Sequence, residues 1–152
     1  MKKINLLSVA LTVCLPFILQ SAQAQFAKPD AAISYRQSAL TLISSHFGRM
    51  QPTIKGATPY DAAAINANID VLKTLSNLPW AGFIEGSQAG SNAKPEAWSD
   101  AAGFKQAQQK FQLAVVKLSE ASGTGDLEKL RSAYGDVGAS CKACHDSYRV
   151  KK

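Results

Sequence analysis

Residues 126–148 read DLEKLRSAYGDVGASCKACHDSY, and their spacing decides how the chain folds. Leu127, Leu130, Tyr134, Val137, Cys141, Cys144 and Tyr148 follow one another at alternating steps of 3 and 4. Steps of that kind return to one face of an α-helix, so both cysteines continue the stripe that packs inward. Whatever the cysteines hold therefore lies against the interior of a helical assembly.

The rest of the chain supplies partners for that helix. Pro29 suits the first turn of a helix carrying Ile33, Leu40, Ile43, Phe47, Met50 and Ile54, whose last turn Pro52 should kink and which Gly56 ends. Thr58-Pro59-Tyr60-Asp61 resembles a capping box with Thr58 as N-cap, ahead of Ile65, Ile69, Leu72 and Leu75, and Pro79 closes that segment. Residues 80–98 contain Gly82, Gly86, Gly90 and Pro95 without sustained periodicity, which predicts a long crossover loop. A third helix is expected from Pro95 or Ser99 to Ser122, carrying Phe104, Phe111, Val115 and Leu118, with Gly123 as its stop. Four amphipathic helices and no strand candidate predict an all-α four-helix bundle, whose core is a common place for a cofactor.

Composition agrees with one compact domain. Of 152 residues, 46% are hydrophobic and 18% charged, which excludes a disordered tail, and sparse aromatics argue against a sandwich or barrel. Residues 1–24 read differently from the rest. Lys2 and Lys3, an apolar run of 16 residues over 4–19, and Ala22-Gln23-Ala24 make a secretory signal cleaved after Ala24, leaving a mature domain over 25–152. The run is too short and lacks the charges of a membrane anchor. Cys14 leaves with it as one more apolar residue. Loss of Lys2 and Lys3 leaves 15 basic against 11 acidic side chains. The bases are dispersed and not interleaved with aromatics, so nucleic acid is not implied.

Cys141-Lys142-Ala143-Cys144-His145 has the C-x-x-C-H spacing of c-type haem attachment. Each thiol adds to one of two neighbouring vinyl groups on one side of a porphyrin, and the next residue offers an imidazole to the iron. A thioredoxin-type pair would need a βαβ unit, a zinc site would need ligands beyond these three and His46, and a disulfide within one helical turn would be strained. Export fits haem too, since bacterial c-type attachment takes place outside the cytoplasm.

The sixth iron position separates a gas binder from an electron carrier. No Met or His follows His145, which leaves His46 and Met50 on the first helix as strong-field candidates. Met50 belongs to the apolar stripe and His46 lies off it. Leu40, near the middle of that stripe, is placed to face the open side of a haem. An aliphatic group there leaves iron five-coordinate and offers dioxygen no hydrogen bond, a loss that matters far less to nitric oxide or carbon monoxide.

With these residues on view, the mature chain resembles cytochrome c′, the class II c-type cytochromes of bacterial periplasms, in its β-proteobacterial, denitrifier-type branch. The likeness runs through Gln25-Phe26-Ala27-Lys28-Pro29, Tyr35-Arg36-Gln37-Ser38-Ala39-Leu40-Thr41-Leu42, His46-Phe47-Gly48-Arg49, residues 75–80, Trp98-Ser99-Asp100-Ala101-Ala102 and Cys141-Lys142-Ala143-Cys144-His145-Asp146. The C-terminal position of the haem motif is its most specific feature. The resemblance implies an antiparallel four-helix bundle, a homodimer packed through the first two helices, and one covalent haem c per chain with high-spin, five-coordinate iron.

It further implies that Cys141 and Cys144 hold the haem, that His145 is the proximal ligand and that Leu40 blocks the distal face. Arg149 would be the basic residue of the proximal pocket; its spacing alone equally suits a solvated cation at a helix C-terminus. Arg36 and Gln37 would approach the propionates, Asn92 the haem edge, and Trp80 and Phe83 the distal side, although bare sequence reads the first two as surface residues and the last two as core. Low-spin relatives carry Met where this chain has Leu40. The expected function is a periplasmic haem protein, not an enzyme, that binds nitric oxide and carbon monoxide, discriminates against dioxygen and buffers nitric oxide. The alternative is an electron shuttle to a periplasmic redox partner; a gas sensor is disfavoured because no output domain is attached.

A first check needs only a mass spectrum. Exported protein should begin at Gln25, and an intact leader on protein recovered outside the cytoplasm would contradict the reading of residues 1–24.

Overall fold

The computed structural model describes residues 25–151. The signal segment and Cys14 lie outside them. Four long helices form the bundle: α1 (Pro29–Ile54), α2 (Ala62–Leu75), α4 (Ala101–Gly123) and α5 (Leu127–Tyr148), with a short α3 (Glu96–Ser99) before α4. The four-helix expectation holds. Among the described residues no helix is long and apolar enough to cross a membrane.

Local chemistry sets the ends, and in three places it differs from the sequence reading. Asp61, not Thr58, caps α2: its carboxylate accepts from the Ala64 amide at 3.0 Å, while the Thr58 hydroxyl pairs with that of Thr53. A carboxylate satisfies an orphan amide at a helix start as well as a hydroxyl does, and Asp61 sits closer to the apolar stripe. The segment also ends early, at Leu75, and Pro79 opens a separate 3₁₀ turn over Pro79–Gly82 instead of closing α2. The expected third helix is broken at Asp100, whose side chain accepts from the Gly103 amide at 3.0 Å and so starts α4 afresh. Asp126 caps α5 by accepting from the amides of Glu128 and Lys129.

Helix α1 packs on α2, α2 on α4 and α4 on α5, while α1 and α5 meet only sparingly. The three-residue link between α4 and α5 makes that pair antiparallel neighbours. Ile43, Met50, Ile65, Ile69, Leu72, Phe111, Val115, Leu118, Leu130 and Val137 fill the interior. Where α1 and α5 do meet, Phe47 stacks on Tyr134 with ring centroids 4.1 Å apart, and the Tyr134 hydroxyl donates to the Phe47 carbonyl at 3.1 Å. Nearer the chain's mouth of α5, Arg131 Nε donates to the Ile54 carbonyl at 3.0 Å, tying the start of α5 to the end of α1. Both ties lie on the N-terminal half of α5. Towards its C-terminal half, where the cysteines are, α1 and α5 separate.

The assignment of faces can be tested directly. Leu118→Ala, at a position with 0% exposure, should cost about 3 kcal/mol in chemical denaturation, whereas Leu113→Ala, at 55% exposure, should stay within about 0.5 kcal/mol of the parent. Asp126→Ala should cost about 1 kcal/mol by uncapping α5.

Candidate functional site

The gap between α1 and α5 holds two adjoining cavities, of about 380 and 680 Å³, which share Leu40, Thr41, Trp80, Cys144, His145 and Arg149 as walls. Volumes of this order are those of small-molecule and cofactor sites. One wall is the last two turns of α5 and the facing wall is the middle of α1. The larger cavity reaches down to Phe47 and Phe111 and carries Cys141 on its wall; the smaller opens beside Arg36, Gln37 and Asn92.

Cys141 and Cys144 are free thiols, half-buried on the α5 wall. Burial pushes both thiols up, Cys141 further through the neighbouring Cys144. The His145 imidazole is held below its ordinary value by burial and then by the Arg149 cation, which favours the neutral ring, the form that ligates metals. Leu40, half-buried, stands across the cavity on α1. Two thiols unpaired with each other, an imidazole on the same wall and a large cavity with apolar depth together fit a porphyrin anchored through vinyl groups.

The remaining expected residues also reach this place. Trp80 and Phe83 line the smaller cavity with Phe104, their rings 6.3 and 4.7 Å apart in the pairs Trp80–Phe83 and Phe83–Phe104. Gln37 and Asn92 stand at its exposed rim, and Arg149 borders both cavities. Arg36 lines it as well, but not as the surface residue its bare sequence suggests. It is 2% exposed, and its guanidinium donates to the Gly82 carbonyl at 2.5 Å, the Ser87 hydroxyl at 2.7 Å and the Ser87 carbonyl at 2.6 Å. Those bonds leave N–H groups over for a carboxylate, since a guanidinium carries five.

The two alternative sixth ligands lie elsewhere. Met50 is 1% exposed in the core, and His46 Nδ1 sits 2.9 Å from Asn68 Oδ1. Neither lines the cavities.

The sequence reading missed Tyr148 and Asp100 as a pair. The Tyr148 hydroxyl donates to Asp100 Oδ2 at 2.8 Å, which pushes the phenol up to about 12 and holds the carboxyl below its usual range. Tyr148 was visible as the last residue of the α5 stripe; Asp100, 48 residues away, carried no signal beyond its N-cap chemistry. Residues 92–94 also clasp the end of α5. The Lys94 amide donates to the Tyr148 carbonyl, the Val150 amide to the Asn92 carbonyl, both at 2.9 Å, and Lys94 Nζ to the Asp146 carbonyl at 2.8 Å. The expected crossover loop thus forms an isolated antiparallel bridge, Ala93 to Arg149.

Comparison with known proteins agrees with this geometry. Residues 31–149 match the family model described as Cytochrome C'. A cytochrome c' of Alcaligenes xylosoxydans xylosoxydans is 68% identical over 128 residues, spanning 84% of this chain and 100% of that protein. A solved nitric oxide complex of a mutant cytochrome c prime from Alcaligenes xylosoxidans has a TM-score of 0.81 at 66% identity, covering 84% of this chain and 100% of the other. A carbon monoxide-bound variant from the same organism shows the same 66% identity and the same coverage, 84% and 100%. Family implies a c-type haem, and the cavity walls carry the residues that would hold one: the chain belongs to the cytochrome c′ family.

Proposed function

We propose that this chain is a periplasmic haem protein, without enzymatic activity, that binds nitric oxide and carbon monoxide and discriminates against dioxygen, serving to buffer nitric oxide. The observation that carries the reading is the facing of His145 by Leu40 across one cavity while His46 and Met50 are engaged elsewhere. Cys141 and Cys144 attach a single haem c through thioethers, and His145 offers its imidazole to the iron. Leu40 has no hydrogen-bonding group to offer on the opposite side, and neither do Trp80, whose indole N–H donates to the Ser76 carbonyl at 2.7 Å, Phe83 or Phe104. Haem, when bound, would supply the iron at which a diatomic gas is taken up. With the Thr41 hydroxyl given to the Gln37 carbonyl and the free Arg36 N–H groups assigned to propionates, the wall around Leu40 gives dioxygen nothing to hold its partial charge, whereas carbon monoxide and nitric oxide need no such donor. Support comes from the relatives whose structures hold nitric oxide and carbon monoxide.

Gln37, the uncommitted N–H groups of Arg36 and Asn92 form the polar rim at which propionates would be received. Arg149 is the cation beside the imidazole. A homodimer through α1 and α2 accords with exposed Leu42 on α1 and Val71 on α2.

Two measurements test this. In denaturing acid and organic solvent, haem should stay with the polypeptide of the parent and come free from the Cys141→Ala, Cys144→Ala double variant; extraction from the parent would contradict covalent attachment. Reduced anaerobically, the parent should show broad, unsplit bands that shift with both gases. Sharp α and β bands indifferent to both would mean a sixth ligand and would favour the electron shuttle.

A further inference from the structure

Between Gly82 and Pro95 the chain has no helix, yet Phe83 at its start and Trp80 in the 3₁₀ turn just before it form part of the cavity wall beside Leu40. What holds this segment down is unusual. Gly82 and Ser87 are buried, Ser87 completely, and their carbonyls point at a single side chain from another element. That side chain is Arg36, one turn ahead of Leu40 on α1. Its Nη1 serves the Gly82 carbonyl and the Ser87 hydroxyl, and its Nη2 the Ser87 carbonyl. The guanidinium also lies over the rings of Phe83 and Trp98, 4.7 and 5.3 Å from their centroids. Among the described residues no carboxylate forms an ion pair with it.

Gly82 completes the lock from the other side. A Cβ there would come within 2.6 Å of the Ala32 carbonyl oxygen and 2.8 Å of Arg36 Cβ, so any larger residue must push the segment off α1. The other bonds of the segment are internal, Phe83 amide to Trp80 carbonyl, Ser87 amide and hydroxyl to Ile84 carbonyl and, at 3.4 Å, Ser87 hydroxyl to Gly82 carbonyl, or run to Ser76, whose carbonyl accepts from the Trp80 indole at 2.7 Å, and to Trp98, whose indole donates to the Ile84 carbonyl at 3.0 Å. None of these reaches α1.

We propose that Arg36 is a positioning residue for gas entry: by forking onto Gly82 and Ser87 it clamps the segment over residues 80–87 to α1, holding Trp80 and Phe83 beside Leu40 and keeping the distal side narrow. The proposal rests on the gas-binding reading and adds to it what controls access. Without the fork, the Ser87 carbonyl loses its donor and the Gly82 carbonyl keeps only the long 3.4 Å bond from the Ser87 hydroxyl, so the segment recovers full hydrogen bonding only by lifting into water. Lifting it carries Phe83 away from the cavity.

The test uses haem-loaded protein and the variants Arg36→Gln, Gly82→Ala and Ser87→Ala, with two readouts. Hydrogen exchange should show amides of residues 82–90 opening about tenfold faster in Arg36→Gln and Gly82→Ala, with residues 130–138 of α5 as in the parent. Carbon monoxide association after flash photolysis should be several-fold faster in the same two variants. Ser87→Ala, which removes one acceptor of three and is mild enough to fold, should move both readouts in the same direction by less. Unchanged protection in Arg36→Gln and Ser87→Ala would overturn the clamp, and so would a loosened segment with association at the parent rate. A parent protein that takes up no carbon monoxide would instead sink the gas-binding reading, and exchange alone would then decide whether Arg36 holds the segment.

Discussion

The stack of Phe47 on Tyr134 is the contact on which the site depends. It joins α1 to α5 at one level, with the phenol hydroxyl bonded to the Phe47 carbonyl and, by burial first, the phenol pushed up to about 12. Below it, Arg131 and Ile54 keep the helices together. Above it, among the described residues, no hydrogen bond or ring stack joins the two helices, and the space so left is walled by Leu40 on one side and the cysteine turn on the other. A bundle whose first and last helices packed along their whole length would have no such space.

Helix α5 meets two demands with one stripe. Its first half spends the stripe on Leu130, Tyr134 and Val137, which are buried against the rest of the core. Its second half continues with Cys141 and Cys144, small residues that leave room where larger ones would fill it. The end that carries them would fray if left alone, because the last carbonyls of a helix lack partners. The segment over 92–94 and the Tyr148–Asp100 bond supply what is missing, so the turn bearing His145 is anchored at the edge of the smaller cavity. Arg36 does the corresponding work for the opposite wall. In both places irregular chain is held by hydrogen bonds to otherwise unpaired carbonyls.

Much of this was legible in the sequence because it depends on period and spacing. The α5 stripe, its continuation through both cysteines, the C-x-x-C-H pattern and the placement of Leu40 on the α1 stripe need only residue numbers. The misplaced start of α2 came from two competing caps, Thr58 and Asp61, four residues from the first buried Ile65 in the second case. The break at Asp100 came from a side chain that prefers its own backbone to the helix. Arg36 was read as a surface residue because burial of a guanidinium needs acceptors that lie 46 and 51 residues away in a loop without periodicity. Local pattern carries no information on such a meeting; only the folded loop does.

The account turns on an iron held by His145 with Leu40 opposite and no sixth ligand. X-ray absorption at the iron edge of the haem-loaded ferrous protein counts those ligands directly. The account predicts five nitrogen neighbours, four from the porphyrin and one from an imidazole. A sixth neighbour, nitrogen or sulfur, in the absence of added gas would contradict it.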